Sequence, residues 1–366
     1  MTDTLPAPEL TIVIPTFNER DNVAPLLELV AAALQGVDWE VIFVDDDSSD
    51  GTAVLLREIG QKDRRVRCIR RIGRRGLSTA CIEGVLASAA PFVAVMDADL
   101  QHDERLLPDM LQLLKQDTCD LVVGSRYVPG GGFGEWDERR VEMSALATRL
   151  SRLVCKADIA DPMSGFFMLR REVFEHAVHR LSGQGFKILL DLLASSPGRI
   201  RVKELPYHFR PRRHGTSKLD TLVAWEFGML LADKLLGHLV PVRFALFAFI
   251  GAMGLIVHLA VLRAALAVPA ITFAEAQALA TLVAMTSNFF LNNLFTYHDQ
   301  RLRGLRLLRG LVSFYLICSI GAIGNVGIAT YVFAADNVWW LAGIAGAIVG
   351  SVWNYAVSSV FTWRRR

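Results

Sequence analysis

The chain has 366 residues, enough for two domains of ordinary size. A formal net charge of +2 gives no electrostatic ground for nucleic-acid binding or for a strongly acidic partner. Five scattered cysteines with no CxxC pair argue against a disulfide framework or a zinc site and fit a reducing compartment.

The mean hydropathy of +0.34 is unevenly distributed: residues 1–240 read as a soluble α/β domain, and 241–363 are mostly apolar. No secretory signal is expected, because the first apolar run, Leu10 to Ile14, is short and gives way to polar residues. Strand-like runs then alternate with helical ones. LTIVIP, EVIFVDD, VRCIR, FVAVMDAD and DLVVGSR predict strands, with helices near 20–34, 51–60, 78–89 and 104–116 between them. Near-continuous apolar strands separated by amphipathic helices imply a buried, mainly parallel sheet covered on both faces. Ligands of such sheets bind beyond the carboxyl ends of the strands. Those ends carry Asn18 and Glu19, Asp45 and Asp46, Arg70 and Arg71, Asp97 and Asp99, then Ser125 and Arg126.

The mix of paired acids and arginines on one edge points to a phosphate ester held by a cation and by guanidinium groups. The chain has no GxGxxG after a strand and no GxxxxGK[ST], so dinucleotide and P-loop readings are weak. Asp97 and Asp99 fall on one face of an extended segment, where both carboxylates reach one hard cation. Mg²⁺ or Mn²⁺ suits two carboxylates plus diphosphate oxygens. Asp103 reads instead as a helix cap. Further on, Arg140 and Ser144 stand i, i+4 on one helix face, with Leu146, Leu150, Leu153 and Val154 expected as its buried stripe. For Asp161 and Asp191 a structural role is at least as strong a reading as a chemical one.

Between Leu219 and Leu239, apolar residues at helical spacing predict an amphipathic helix. An interfacial helix facing the membrane and an ordinary core helix both fit. Four segments then have the length and apolarity of membrane spans, about 244–266, 274–296, 311–334 and 338–362. Arg243, the loop arginines 301, 303, 306 and 309, and Arg364 to Arg366 predict that both termini and the middle loop face the cytoplasm. The spans repeat: NFFLNNLFTY (288–297) matches NYAVSSVFTW (354–363), and GAMG at 251 answers GAIG at 321. Each repeat is a two-helix hairpin, which makes the duplication parallel. Its glycines and Asn–Thr pairs suit close helix packing.

The motifs VIPTFNE (13–19), VDDDSSDGT (44–52), GLSTA (76–80), DADLQH (97–102), GSRYVPGG (124–131), DPMSGFFML (161–169) and RRHGTSKL (212–219) stand in a characteristic order. With them the chain resembles the inverting family 2 glycosyltransferases of GT-A fold, and within these the polyprenyl-phosphate (dolichol-phosphate) mannosyl- and glucosyltransferases. The four-span tail resembles the GtrA-like membrane domain. The resemblance implies an α/β GT-A domain over 1–217, an amphipathic interfacial helix or linker over 218–240, and an all-α four-helix transmembrane domain over 241–366. It implies an integral membrane enzyme that moves a hexose from a nucleotide sugar, GDP-mannose or else UDP-glucose, to a polyprenyl or dolichyl phosphate. Pro15, Phe17, Glu19, Asp45, Asp46, Asp97, Arg212 and Lys218 would bind the nucleotide sugar. Asp97, Asp99 and Gln101 would hold the Mg²⁺ or Mn²⁺, and Arg126, Arg140 and Ser144 the acceptor phosphate, with Asp99 and Arg126 closest to the chemistry. A homo-oligomer is compatible with the sequence. The family's proline-rich PPE after DLQH is replaced by Asp103, Glu104 and Arg105, which bears on loop rigidity, and Asp47 adds a negative charge near the nucleotide.

Two rival readings compete. A processive polysaccharide synthase would carry a QxxRW motif, which is missing here. A catalytically dead domain anchoring a lipid-flipping module conflicts with the retained aspartates, arginines and GTSK loop.

Overall fold

The computed structural model describes residues 7–134, 138–155, 157–183, 185, 187–210, 221–236, 241–297, 300–336 and 339–363, some helical stretches such as 138–143 and 221–226 by their backbone alone. The chain divides into two compact units, Met1–Leu235 and Leu236–Arg366.

In the first unit β1 (Leu10–Thr16), β2 (Trp39–Asp45), β3 (Val66–Arg70), β4 (Phe92–Val95) and β5 (Leu121–Ser125) alternate with α1 (Arg20–Ala33), α2 (Thr52–Lys62), α3 (Leu77–Leu86) and α4 (Leu107–Lys115). All five expected strands form. Two more were not anticipated, β6 (Phe167–Arg170) and β7 (Val202–Pro206). The seven-stranded order is β3-β2-β1-β4-β6-β5-β7, and every pairing is parallel except those of β6 with β4 and β5. β1 and β2 are apolar on both faces because both faces are covered. Leu10, Ile12 and Ile14 pack with Val23, Leu26 and Val30 of α1 and Leu107 to Leu114 of α4. Val13, Ile42 and Val44 pack on the other side with Ala80, Cys81 and Val85 of α3.

The antiparallel β6 decides where the site lies. Phe167 stands opposite Val95 of β4 and Val123 of β5, so the segment entering β6, residues 161–166, lies at the carboxyl ends of its parallel neighbours. DPMSG thereby reaches the same edge as DADLQH and GSR.

α5 (Glu138–Ser151), α6 (Arg171–Ala177), α7 (Ile188–Ser195) and α8 (Thr221–Leu236) complete the unit. Most of the stripe expected on and after α5 is not buried: Leu146, Leu150 and Leu153 are exposed while Val154 is half-buried, and among the described side chains of this helix the buried ones are Thr148 and Ser151. The hydroxyl of Ser151 donates to the Thr148 carbonyl at 2.7 Å, so this inward-facing serine is satisfied within the helix. On α8, Phe227 and Leu230 are buried with Met163 and Leu190. Lys234 of the same helix meets the fully buried Asp191 at 2.6 Å.

Among the described residues the second unit has four α-helices, α9 (Val242–Leu266), α10 (Phe273–Leu291), α11 (Leu305–Asp336) and α12 (Trp339–Phe361). Thr272 and Glu275 close a reciprocal capping box on α10. Among the described residues, Val242–Leu266, Ala278–Thr296 and Leu305–Gly324 are long and apolar enough to span a bilayer, and Ile348–Phe361 forms a shorter apolar stretch. The third helix begins at Leu305, earlier than expected, so Arg306 and Arg309 lie on its first turns rather than in a loop. The first residue of each repeated motif packs on a glycine: a Cβ on Gly254, the last residue of GAMG, would collide with the Asn288 side chain, and one on Gly321, the first of GAIG, with that of Asn354, so the glycines used are not in register. At the motif ends Tyr297 and Trp363 stack at 4.2 Å with rings 5° apart.

Candidate active site

The carboxyl ends of β1 and β2 are tied into one surface. Asn18 donates its N–H to Ser48 Oγ at 2.8 Å and accepts from the Ser49 N–H at 2.9 Å; Thr52 Oγ1 accepts from the Glu19 N–H at 3.1 Å. Asp45, fully buried, accepts from the Ser48 N–H and hydroxyl and so shapes the turn. Asp46 accepts from the Gly76 N–H at 2.7 Å and lies 2.9 Å from Arg71 Nη1, an ion pair in distance although not aligned as a hydrogen bond. Burial raises the Asp46 carboxyl above the usual range, opposed by the Gly76 N–H and Arg71. Arg71 is 1% exposed and also donates to the Gly76 carbonyl and Thr79. Arg75 lies over the Phe17 ring at 4.3 Å, placing a guanidinium beside the VIPTFNE motif. The extra acid, Asp47, is gripped by Arg70 through Nε at 2.9 Å and Nη2 at 2.6 Å, so its charge is paired.

Backbone strain gathers on this edge. Asn18, Asp47 and Leu100 have φ of 56°, 58° and 63°, and follow β1, β2 and β4. Asn and Asp tolerate the left-handed region; for leucine it costs about 1–2 kcal/mol. Leu100 corrects one expectation. The chain does not stay extended from Asp97 to Gln101 but turns left-handed, and Leu100 is buried there at 4% exposure. Within the turn, Asp99 Oδ1 accepts from the Gln101 N–H at 3.2 Å. The Gln101 carbonyl accepts from the Arg210 N–H at 2.9 Å, and its Nε2 donates to the Arg210 carbonyl at 2.9 Å.

The altered sequence after DLQH supplies its own rigidity. Arg210 donates to Glu104 and to Asp103, both at 2.8 Å. Asp103 also caps the short helix that follows, accepting from the Arg105 N–H. His102 is buried beneath this loop, stacked on Phe166 at 5.2 Å, and burial pulls its pKa down to about 4.

Across β6, Arg126 is 8% exposed and forks Asp161, Nε to Oδ2 and Nη2 to Oδ1, both at 2.8 Å; its N–H donates to the same carboxylate. Burial alone would weaken the guanidinium's hold on its proton, but Asp161 outweighs it and the group stays charged. The backbone N–H groups of Ala160 and Asp161 donate to Glu204 of β7. Ser144 Oγ accepts from the Tyr127 hydroxyl at 2.8 Å, which brings α5 to the residue next to Arg126. Arg140 lies on the same helix, its side chain outside the described residues, as are Arg212 and Lys218 altogether.

The donor set fits a hard divalent cation in its chemistry: two carboxylates and an amide, all able to offer oxygen, with Asp97 one-third exposed. Among the described residues no cluster of three or more His, Cys, Asp or Glu side chains forms a protein-only metal site. Such a pair suits a cation shared with a diphosphate. Sequence reading did not find Asp161, Tyr127, His102 and Arg210 as site residues, because their partners come from distant segments.

One edge of the sheet thus gathers Glu19 after β1, Asp45 and Asp46 at the end of β2, Asp97 and Asp99 after β4 and the buried Arg126 after β5. The glycosyl transferase family 2 model matches residues 11–177 and the GtrA/DPMS transmembrane domain model matches 246–363. The chain belongs to the family 2 glycosyltransferases that carry this membrane domain. It is 31% identical to the dolichol-phosphate mannosyltransferase of Pyrococcus furiosus over 97% of this chain and 99% of that one. The proteins of the same name from Saccharomyces cerevisiae and Mycosarcoma maydis are each 34% identical, over 60% and 62% of this chain and 84% and 79% of theirs. Among solved structures, glucosyl-3-phosphoglycerate synthase from Mycobacterium tuberculosis is similar with a TM-score of 0.46 at 17% identity, over 62% of this chain and 79% of that one.

Proposed function

We propose that this membrane-bound glycosyltransferase moves mannose from GDP-mannose to a polyprenyl or dolichyl phosphate, with inversion at the anomeric carbon. The observation that carries the reading is the Pyrococcus relative, similar across both the catalytic and the membrane units and named for this reaction. The edge of paired acids and arginines supplies matching chemistry.

Pro15, Phe17, Glu19, Asp45 and Asp46 line the nucleotide side, with Asp45 acting mainly through the turn it holds. Asp97, Asp99 and Gln101 would hold Mg²⁺ or Mn²⁺. That ion, when bound, neutralises the diphosphate and stabilises the charge it gains on leaving. Arg126, Arg140 and Ser144 gather the acceptor phosphate, while Arg212 and Lys218 close over the donor phosphates. A phosphate monoester is anionic near neutral pH, so its oxygen attacks without a dedicated base. The arginines counter the repulsion between two anionic groups, and alignment of the attacking oxygen with the anomeric carbon contributes the rest. Arg126 is preset for this by Asp161, which fixes the guanidinium plane before substrate arrives.

The test is incubation of membranes carrying the protein with labelled GDP-mannose, Mg²⁺ or Mn²⁺ and a polyprenyl phosphate. Mannose recovered in a lipid-extractable, acid-labile product is the expected result. Transfer from UDP-glucose alone would replace the mannose assignment, and no transfer from any donor in a panel would overturn the enzyme reading.

A further inference from the structure

The side chain of His102 sits in a slot built for a flat ring. Phe166 stacks on it with an interplanar angle of 12°, and Tyr207 and Phe209 meet it edge-on at 5.9 and 5.8 Å. Phenylalanine or leucine would fill such a slot without a desolvated polar group. The two ring nitrogens give the reason for an imidazole. Nδ1 accepts the backbone N–H of Asp97 at 3.2 Å, two residues past the end of β4. With Nδ1 an acceptor, the neutral ring carries its proton on Nε2, and Nε2 stands 3.7 Å from Oδ2 of the same aspartate. One ring edge therefore faces both the backbone and the carboxylate of Asp97.

A second observation comes from another segment. At Gly165 an added Cβ would sit 2.8 Å from Asp97 Oδ2 and 3.4 Å from His102 Cε1. The carboxylate is thus bounded by the imidazole edge and by bare backbone entering β6. The His102–Asp97 contact also closes the loop holding Asp99 and Gln101, whose far end Arg210 secures.

From these contacts we infer that His102 is a positioning residue: with Gly165 it presets the Asp97 carboxylate, and the loop behind it, for the divalent cation. The inference rests on the cation reading of Asp97, Asp99 and Gln101 given above. His102 does not touch substrate and transfers no proton; it acts through Asp97. Partners that orient a metal ligand in this way typically contribute about 10- to 100-fold in metal affinity.

The experiment is Mn²⁺ titration of the full chain in detergent with GDP present, followed by electron paramagnetic resonance of the free ion and by thermal unfolding. His102→Phe preserves the aromatic slot but removes both nitrogens, and should weaken Mn²⁺ binding about 10-fold or more with its unfolding midpoint close to the parent's. His102→Asn, whose amide oxygen can still accept the Asp97 N–H, should retain more affinity than the phenylalanine variant although it packs less well. That inversion of rank between affinity and stability is what a purely structural histidine would not produce. A folded His102→Phe protein with parental Mn²⁺ affinity overturns the inference. Should that variant not fold, Gly165→Ala decides, since its methyl would press mainly on the carboxylate, 2.8 Å away, and meet the ring only at 3.4 Å: weakened Mn²⁺ binding supports the inference and unchanged binding overturns it. If the parent protein itself binds no Mn²⁺ with GDP present, the cation reading fails first and takes this inference with it.

Discussion

Arg126 and Asp161 show how much a single residue's role depends on a partner far away in the chain. The pair is buried and bidentate. Removing one partner of such a pair leaves a charge without compensation and costs about 3–5 kcal/mol. Asp161→Ala should therefore lower the unfolding midpoint markedly, whereas Asp161→Asn, which keeps one acceptor oxygen, should lower it less. Both should reduce transferase activity by orientation of Arg126, with the larger effect on acceptor KM; thermal unfolding and initial-rate kinetics check this. In the sequence Arg126 is conspicuous at a strand end, but Asp161 is only an acid before a proline. Nothing local announces the partnership, because it is created by β6 entering the sheet antiparallel between β4 and β5. Leu100 was equally hidden: alternation along MDADLQ suggests continued extension, and a left-handed leucine is the least expected way to end it.

At the scale of elements, periodicity identified the five parallel strands and four helices because apolar runs alternate there with amphipathic ones across polar turns. It missed β6, which runs straight into α6 at Arg171, and β7, whose VKELP is only half apolar. It also put the wrong face of α5 inward, since Leu146, Leu150 and Leu153 look like a core stripe unless the actual neighbours are known. For α8 the sequence allowed an interfacial or a core helix. Phe227 and Leu230 pack inside the first unit, and Lys234 is held by Asp191, the Ser195 hydroxyl at 2.8 Å and the Arg180 carbonyl at 3.3 Å. Asp191 is itself fully buried and accepts from Ser182 and Gly183. Lys234→Met retains the aliphatic stem but strands the carboxylate, and should destabilise this unit by about 3 kcal/mol. Lys234→Met with Asp191→Asn should recover much of the loss. Urea titrations of the single and double variants, compared as a double-mutant cycle, measure the coupling, and additivity would deny that the pair holds α8 in place. In the membrane unit the glycine–asparagine contacts make a parallel case. Gly254→Ala should loosen the α9–α10 pair because the added methyl meets Asn288, and adding Asn288→Ala should relieve it. Detergent-resistant thermal stability reads the difference.

For the whole molecule, the duplication and the charge pattern converge on one orientation. Tyr297 follows α10 and Trp363 follows α12, and their rings stack; the Trp363 indole N–H also donates to Asn293 Oδ1 at 3.1 Å. Two repeats inserted in opposite senses would put these ends on opposite sides of a bilayer, so the contact supports a parallel duplication. Asn293 further exchanges hydrogen bonds with the backbone of Leu302, which fixes the arginine-bearing connection at that same end. Arg301 and Arg303 therefore lie on the same side as Trp363, while the connection through Pro269 at the opposite ends of α9 and α10 carries no cation. Positive charge flanking spans is retained on the cytoplasmic side, and a nucleotide-sugar donor would be met there. The check is a pair of single-site variants, Arg303→Cys and Pro269→Cys, probed with a membrane-impermeant maleimide in sealed vesicles of known sidedness. The five native thiols are buried or half-buried and form the background to subtract. Arg303→Cys should label when the cytoplasmic face is outward and Pro269→Cys only in vesicles of the other orientation. The reverse pattern would place the arginine connection outside and remove the basis for a cytoplasmic active site. Labelling of both from one side would contradict the two-span hairpin itself.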